Sequence, residues 1–298
     1  MSQIPYTIPA DEILAPGHVG CGGCGATLSM RLALKALGRD TILVVPACCW
    51  SVIDGPAPFS CAGVPLMHTP FASAAAAASG VRAALDQKGQ RDTIVCAWAG
   101  DGGTFDIGIQ SLSAAAERNE DIIYVCYDNE AYMNTGVQRS SATPFGAWTT
   151  TTPAERVKEQ PKKDLLAIML AHRIPYAATA TVAYPDDFLA KFARARSIRG
   201  TRFLHVLAPC PPGWRIPSEQ AIEYARLAVM SRVFPLVEAE DGRRPRLTVD
   251  PPPQPLERYL EGQGRFRTLA ADPERIGRLS QAITERWALL AEVSPPTR

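Results

Sequence analysis

Short apolar segments alternate with helix-like segments along this chain, and this alternation constrains the fold more than any other feature. Three such segments are TILVVPA (41–47), TIVCAWA (93–99) and IIYVCYD (122–128). Strands that are apolar on both faces are typical of a parallel sheet covered by helices on both sides. The segments that precede the first two strands have helical spacing, and each ends at a glycine. The first ends at Gly38 and the second at Gly89. The sequence therefore predicts an α/β fold, a parallel sheet with helices on both faces.

The alternation continues in the second half of the chain. The strand-like segments are YAATATVA and RFLHVLAP, and the helix-like ones are DLLAIMLAHRI, PDDFLAKFARARS and SEQAIEYARLAVMSRVF. A stiff, proline-rich linker, DPPPQP, follows at 250–255. We predict one α/β domain over residues 1–235. Residues 236–298 would form a C-terminal extension, with this linker and a helix (RIGRLSQAITERWALLAEV) that packs on the domain or on a partner subunit.

Composition and charge argue against several classes of protein. The chain has 298 residues and is 46% hydrophobic, which is enough for a sizeable core. Lys and Arg number 31 against 30 Asp and Glu, so there is no basic excess to bind a nucleic-acid backbone. The N-terminus lacks the pattern of a signal peptide, and no apolar window is long enough to span a membrane. We expect a cytoplasmic protein that binds neither nucleic acid nor membrane.

The loop Gly100-Asp101-Gly102-Gly103 joins the second strand to a helix and is the first candidate ligand site. In a parallel sheet, such a loop lies at the carboxyl edge, where ligands bind. Glycines let a ligand approach the backbone, and a helix N-terminus offers free N–H groups to an anion. Asp101 opposes this, because like charges about 4 Å apart cost about 4 kcal/mol at an effective dielectric of 20. A divalent cation such as Mg²⁺, bound between the carboxylate and a phosphate, would remove the conflict.

A second oxygen ligand is available at the end of the next strand, 28 residues after Asp101. Asn129 offers a side-chain carbonyl oxygen, and the irregular stretch Glu130-Ala131-Tyr132 can offer a backbone carbonyl. Gly-Asp-Gly alone is typical of an ordinary turn. Its combination with Asn129 favours a metal site.

Four of the eight cysteines stand where they could meet at the same edge. Cys21 and Cys24 form a C-x2-C pair, Cys49 follows the first strand, and Cys210 follows a later one. Four thiolates can hold zinc or a [4Fe–4S] cluster, and the spacing leaves both open, with unrelated buried cysteines as a third possibility. Adjacent strand residues face opposite ways, so we expect Cys48 to be a buried packing residue. The other cysteines, Cys61, Cys96 and Cys126, match no ligand position.

The glycine loop followed by Asn129 resembles the thiamine diphosphate motif. The longer run GDGGTFDIG…YVCYDNEAYMNTGVQRSSATPFGAWTTT resembles the β subunit of pyruvate:ferredoxin oxidoreductase and of related 2-oxoacid:ferredoxin oxidoreductases. The resemblance extends over about residues 14–270 and includes APCPPGW and YLEGQGRF. It implies a thiamine diphosphate-binding fold. It also implies oxidative decarboxylation of a 2-oxoacid, with pyruvate as first choice, to acyl-CoA and CO₂, and electrons passed through a [4Fe–4S] cluster to ferredoxin.

The resemblance also implies roles for individual residues. Mg²⁺ would be bound by Asp101, Asn129 and the backbone oxygen of Ala131. Asn134 would lie near the reactive thiazolium side, as the catalytic residue. The cluster ligands would be Cys21, Cys24, Cys49 and Cys210. The cofactor-binding set would be Cys49, Gly100, Asp101, Gly102, Gly103, Asn129, Glu130, Ala131, Tyr132, Met133 and Asn134.

Two departures qualify the resemblance. Ala26 stands where many pyruvate enzymes carry an acid that touches the cofactor. No motif matches the glutamate that assists the aminopyrimidine ring, so the resemblance implies an α subunit that supplies it and most substrate contacts, together with γ/δ-type subunits and coenzyme A.

Three alternatives stay open. The first is the same chemistry on another 2-oxoacid (branched-chain, aromatic or oxalate). The second is a non-redox thiamine diphosphate decarboxylase subunit with structural zinc. The third is a zinc-stabilised module that binds nucleotide diphosphates.

Overall fold

The computed structural model describes residues 8–56, 58–243 and 245–291, and within them eight strands form one sheet. The strands are β1 (Thr41–Pro46), β2 (Leu66–Thr69), β3 (Ile94–Gly100), β4 (Ile123–Asp128), β5 (Tyr176–Thr181), β6 (Arg202–Leu207), β7 (Leu236–Glu240) and β8 (Arg246–Val249). Their order across the sheet is β2-β1-β3-β4-β6-β5-β7-β8. The first six in this order are parallel, and β7 and β8 add to the edge in antiparallel fashion.

The helices follow the strands in the alternation that the sequence predicts. They are α1 (Gly25–Leu37), α2 (Trp50–Ile53), α3 (Ala74–Gln87), α4 (Ile109–Glu117), α5 (Leu165–Ala171), α6 (Pro185–Ser197), α7 (Pro211–Trp214), α8 (Ala221–Met230), α9 (Leu256–Leu260), α10 (Arg267–Ala270) and α11 (Pro273–Ala291). A turn of wider π-helix, Gly102–Ile107, precedes α4. None of the described helices combines the length and the apolar composition needed to cross a membrane.

Side chains from successive strand residues enter two separate cores, one on each face of the sheet. Leu43 and Val45 of β1 pack on the face covered by α1 and α6. Val44, between them, packs on the other face with α3 and α4. This alternation is the period of two that a strand imposes. It confirms the predicted sheet with helices on both faces.

The strand order reverses beside β1, and this places the candidate site. The chain runs from β1 outward to β2, then returns to the other side of β1 with β3. The crevice at such a reversal, beyond the carboxyl ends of the strands, is where open α/β sheets bind ligands. Here, the loops after β1 and β3 border that crevice.

The C-terminal region is attached to the rest of the chain through the sheet and through a third apolar cluster. β7 pairs with β5, so the sheet continues past residue 235. Trp214, Tyr259, Phe266 and Ile283 share the third cluster. The division at 235 stays a prediction. Residues 1–7 and 292–298 of the two predicted domains, including the end of the last predicted helix, lie outside the described residues.

Candidate functional site

Four neighbouring strands bring the predicted ligand residues to one edge of the sheet. β1, β3, β4 and β6 lie side by side, and all four are parallel. Just beyond their carboxyl ends stand Cys49, Asp101, Asn129 and Cys210. The order of the strands therefore gathers residues that are far apart in the sequence.

The side-chain amide of Asn129 contacts oxygen atoms of the other two predicted magnesium ligands. In one orientation of the Asn129 amide, its oxygen lies 3.0 Å from Asp101 Oδ1 and 2.8 Å from the backbone oxygen of Ala131. All three are acceptors, so without a cation the amide exchanges its oxygen and nitrogen, and the nitrogen donates to both. Ligand oxygens at about 2.1 Å from Mg²⁺ in an octahedron lie about 3 Å from their neighbours. The Asn129 oxygen thus lies, from each of the other two oxygens, at the spacing of neighbouring ligands in a magnesium coordination shell.

Asp101 is buried, with 1% of its surface exposed. Ser140 Oγ donates a 2.5 Å hydrogen bond to Asp101 Oδ2, which leaves Oδ1 facing Asn129. Burial, and then the nearby Asp128 carboxylate, raise the pKa of Asp101 well above its usual value. A divalent cation would favour the ionised form of this carboxyl, since it supplies the positive charge that the pocket around Asp101 lacks.

The glycine loop is packed closely under the segment that follows β4. A Cβ at Gly102 would lie 2.2 Å from Cε1 of Tyr132, so the tyrosine ring lies directly against the backbone there. The Tyr132 hydroxyl donates to Asp106 Oδ2 at 2.9 Å. The two predicted cofactor segments, 100–103 and 129–134, are therefore in contact, and residue 102 cannot carry a side chain without moving Tyr132.

A buried network of charged side chains lies beneath this loop, and sequence reasoning missed it. Asp128 Oδ2 contacts Lys162 Nζ at 2.5 Å and His205 Nε2 at 2.7 Å. Lys162 also contacts Glu130 Oε1 at 2.7 Å, and Arg265 Nη1 contacts Glu130 Oε2 at 2.6 Å. Burial would raise the pKa of Asp128, but Lys162 and His205 outweigh it and hold the pKa at about 2. No local sequence signal marks these partners, because they are brought together only by the fold.

Glu130 has a backbone conformation that non-glycine residues rarely adopt, with φ at +71°. The left-handed region costs an L-residue roughly 1–2 kcal/mol. The backbone is held on both sides: Glu130 N–H donates to Asp128 Oδ1 at 2.9 Å, and its carbonyl accepts from Thr143 Oγ1 at 2.8 Å. The strained residue lies between the two predicted ligand residues Asn129 and Ala131, where it sets the direction of the turn.

The cysteine side of the edge is more open. Cys21 is exposed, whereas Cys24, Cys49 and Cys210 are half-buried. Gly25 N–H donates to Pro209 O at 2.9 Å, so the C-x2-C loop and the loop after β6 are joined by their backbones. A groove of about 730 Å³ lies against Cys21 and Cys24. These ties bring the loops together, while the groove leaves one side of the cysteines accessible.

The thiols are close enough to influence one another. Burial, and then Cys210, Cys48 and Cys24, raise the pKa of Cys49 to about 12. Burial also raises the pKa of Cys210 to about 12, with Cys24 and Cys21 adding to it. Among the described residues, however, no group of three or more His, Cys, Asp or Glu side chains is close enough to hold a metal ion as it stands. The four-cysteine site therefore stays a prediction.

Cys48 is not fully buried, and the geometry differs from the one assumed for it. β1 ends at Pro46, so the rule that adjacent residues of a strand face opposite ways does not reach Cys48 and Cys49. Cys48 is half-buried. Its Cβ lies 3.7 Å from the position that a Cβ on Gly100 would occupy. It packs against the glycine loop. Cys49 lies at the start of α2. Asn129 Nδ2 donates to its sulfur at 3.9 Å in the orientation that turns the amide oxygen towards Asp101.

The remaining predicted residues fall at the rim of the site or in the core. Asn134 is exposed, beyond the turn that carries Tyr132. The Met133 side chain packs on Gly213, because a Cβ on Gly213 would lie 2.2 Å from the Met133 sulfur. Ala26 is 3% exposed and packs in the core with α1. Position 26 thus serves packing in this chain. The role of Asn134 stays a prediction.

Comparison with known proteins gives a consistent result. Residues 53–206 match the family of thiamine pyrophosphate enzymes, C-terminal TPP binding domain. The ketoisovalerate oxidoreductase subunit VorB of Pyrococcus furiosus is 48% identical over 298 residues, 97% of this chain and 95% of that protein. The pyruvate synthase subunit PorB of Methanocaldococcus jannaschii is 48% identical over 299 aligned positions, 97% of this chain and 99% of that protein.

A solved structure shares the fold at lower identity. It is the 2-oxoglutarate:ferredoxin oxidoreductase from Magnetococcus marinus, with 2-oxoglutarate, coenzyme A and succinyl-CoA bound. The match has a TM-score of 0.59 at 24% identity and covers 76% of this chain and 82% of that chain.

Proposed function

Since this chain belongs to the β subunits of the 2-oxoacid:ferredoxin oxidoreductases and carries their thiamine diphosphate-binding domain, we propose that it binds Mg²⁺ and thiamine diphosphate for the oxidative decarboxylation of a 2-oxoacid to acyl-CoA. The observation that carries the proposal is the position of the Asn129 amide oxygen, in one orientation of the amide, 3.0 Å from Asp101 Oδ1 and 2.8 Å from the backbone oxygen of Ala131. Carboxylate, amide and backbone oxygens are the ligand types that Mg²⁺ prefers.

The residues of this chain hold the cofactor rather than react with it. Asp101, Asn129 and Ala131 bind the cation that joins the protein to the diphosphate. The Tyr132 ring packs against Gly102 and leaves no room for a side chain there, so the loop can approach a diphosphate only through its backbone. Thiamine diphosphate, when bound, supplies an electron sink that lets CO₂ leave the 2-oxoacid. The magnesium site orients that cofactor in the crevice beside β1.

We further propose that Cys21, Cys24, Cys49 and Cys210 bind a [4Fe–4S] cluster that takes up electrons for transfer to ferredoxin. The donor set supports this, because four thiolates are the ligands of such clusters. The backbone tie between Gly25 and Pro209 also supports it, since it joins two of the three loops that carry the cysteines. In this arrangement, Cys49 lies beside Asn129, so the sulfur and oxygen sites are neighbours.

The exposed rim of the site fits a subunit that acts only within an assembly. Asn134 is exposed. Within the described segments 100–103 and 129–134 the one glutamate is Glu130, and its carboxylate is bound to Lys162 and Arg265, so it is not free to serve the aminopyrimidine ring. We propose that an α subunit supplies this glutamate and most substrate contacts, and that γ/δ-type subunits connect the site to ferredoxin.

Pyruvate is the proposed substrate, and a branched-chain 2-oxoacid is the second candidate, because relatives named for pyruvate and for ketoisovalerate are equally similar at 48% identity. The test is anaerobic purification of the native complex, followed by dye reduction with pyruvate, ketoisovalerate and 2-oxoglutarate in the presence of coenzyme A. Reduction that depends on pyruvate, coenzyme A and Mg²⁺ supports the proposal. A complex that contains zinc in place of iron and reduces no dye would overturn the redox part.

A further inference from the structure

The turn that carries two of the three magnesium ligands depends on one strained residue. Glu130 stands between Asn129 and Ala131 with φ at +71°, a conformation that glycine adopts readily and glutamate does not. The choice of glutamate at this position therefore needs a reason beyond backbone geometry. The reason lies in its carboxylate, whose two oxygens contact different cations.

The Glu130 carboxylate is bound on both sides in a buried environment. Lys162 Nζ donates to Oε1 at 2.7 Å, and Arg265 Nη1 donates to Oε2 at 2.6 Å. The side chains of Glu130 and Arg265 are each only 3% exposed. Lys162 contacts both Glu130 and Asp128. Arg265 is the cation that Glu130 does not share with Asp128. A buried charge pair of this kind holds its members in one position, because separating them would leave a charge unpaired.

Arg265 reaches the same turn by a second route. Its guanidinium lies over the Trp214 ring, 3.9 Å from the centroid, and Trp214 Nε1 donates to the backbone oxygen of Asn129 at 3.0 Å. Its remaining nitrogens are also engaged: Nε donates to Gln263 Oε1 and Nη2 to the Tyr259 hydroxyl, each at 3.0 Å. Arg265 is therefore fixed in place and supports both Asn129 and Glu130.

We propose that Arg265 is a positioning residue of the magnesium site: through Glu130 and Trp214 it holds the turn 129–131 in the left-handed conformation that points the Asn129 amide and the Ala131 carbonyl at Asp101. The inference rests on the proposed function, and it adds to it a residue that lies 135 positions from the turn and contacts none of the three ligands. Partners that orient metal ligands typically change metal affinity 10–100-fold when they are removed.

The first test compares Arg265→Met with Arg265→Lys in the complete complex, after Mg²⁺ and thiamine diphosphate have been removed. The Mg²⁺ dissociation constant at saturating thiamine diphosphate is measured by titration of the intrinsic tryptophan fluorescence. We expect a rise of about 10-fold or more in Arg265→Met and partial recovery in Arg265→Lys, which keeps the charge but not the fork geometry. Arg194→Met is the matched control, because it removes an exposed Arg–Glu pair with Glu240 at the far side of the sheet.

The second test separates backbone strain from the role of the carboxylate. Glu130→Gly removes the cost of the left-handed conformation and also removes the bond to Arg265. We expect weaker Mg²⁺ binding, whereas a site governed by strain alone would bind as tightly as wild type or more tightly. Glu130→Gln, which keeps the shape but loses the charge, should fall between wild type and Glu130→Gly.

The outcomes distinguish the inference from the function on which it rests. Wild-type Mg²⁺ affinity in both Arg265→Met and Glu130→Gly would overturn the positioning role while leaving the proposed cofactor intact. If wild-type complex shows no Mg²⁺-dependent binding of thiamine diphosphate, the proposed function itself is wrong. Should Arg265→Met fail to assemble, Glu130→Gln decides: an unchanged Mg²⁺ dissociation constant in that variant rejects the inference, and an increase of several-fold supports it.

Discussion

The oxygen side and the sulfur side of the site edge differ in how they are built. On the oxygen side, Asp101 is 1% exposed and its neighbours are joined by a buried network of charged side chains. On the sulfur side, Cys21 is exposed and a groove of about 730 Å³ lies against the C-x2-C loop. The thiols influence one another, but among the described residues no three of them are close enough to hold a metal. The difference follows from the chemistry of the groups. Buried carboxylates need partners before any ligand arrives, whereas neutral thiols do not.

This contrast predicts that the oxygen side is organised by the protein and that the sulfur side is organised by its metal. Cysteine pKa values near 12 indicate that Cys49 and Cys210 are neutral thiols at physiological pH unless a metal ion binds them. Metal binding to such a site releases protons and orders the loops at the same time. Four substitutions test the contrast.

The largest effect is expected for Asp101→Asn. The variant loses a charged magnesium ligand, so we expect Mg²⁺-dependent binding of thiamine diphosphate to fall by about 100-fold or more, with activity lost. The melting temperature of the cofactor-free complex should stay the same or rise, since burial already disfavours the Asp101 carboxylate. Calorimetric titration and thermal unfolding measure the two quantities. A variant that binds the cofactor normally would remove Asp101 from the site.

The next effect is expected for Cys210→Ser. We expect the iron of this chain to fall from about four atoms to near zero, while magnesium-dependent binding of thiamine diphosphate changes little. Cys61→Ser is the control, because Cys61 is buried and its sulfur donates only to a backbone oxygen. Iron analysis and the visible spectrum of anaerobically purified complex report the outcome. Full iron content in Cys210→Ser would show that the assigned ligand set is wrong.

A smaller effect is expected for Gly102→Ala. The new Cβ would lie 2.2 Å from the Tyr132 ring, so the ring must move away from the loop. We expect thiamine diphosphate affinity to fall about 10-fold, a change of about 1.4 kcal/mol. Gly80→Ala is the matched control, because nothing lies within 4 Å of its Cβ and alanine favours a helix interior. Equal cofactor affinity in the two variants would contradict the close packing inferred here.

The smallest effect concerns Lys158, which supports the segment that carries Ser140. Its Nζ donates to the backbone oxygens of Ser141, Thr143 and Pro161. Burial lowers the pKa of Lys158 from 10.5 to about 8. Between these two values the unfolded chain binds more protons than the folded one, so stability should rise with pH. Wild type should therefore gain stability relative to Lys158→Met from about pH 8 to pH 10.5. Denaturant unfolding across that range measures the difference, and parallel curves would contradict the lowered pKa.

The sequence predicted β1, β3, β4, β5 and β6 because these strands leave clear local patterns, whereas the four-residue parallel strand β2 escaped prediction. β1, β3 and β4 are apolar on both faces, and the helices between them have clear spacing and stops. The antiparallel strands β7 and β8 also escaped prediction, since β7 (LVEAE) and β8 (RLTV) have only five and four residues and carry charged residues, which leaves a weak pattern. The sequence also did not anticipate the π-helical turn at Gly102–Ile107.

The candidate site divides in the same way. Asp101 and Asn129 were predictable because each directly follows a strand that pattern reasoning can find. The stretch Glu130-Ala131-Tyr132 was predictable as a source of a backbone oxygen, and only the choice of Ala131 within it came from the resemblance to a known family. The roles of Lys162, Arg265 and Trp214 could not be predicted. No local sequence pattern marks these residues, and only the tertiary fold brings them to the site.

The 135-residue separation between Glu130 and Arg265 has a consequence for biosynthesis. The glycine loop and Asn129 are translated well before Arg265, and domains begin to fold as they emerge from the ribosome. The clamp on Glu130 can close only after residue 265 has been translated. A nascent or prematurely terminated chain would therefore display the proposed magnesium ligands without the support that aligns them, and loading with cofactor would wait until residue 265 has emerged.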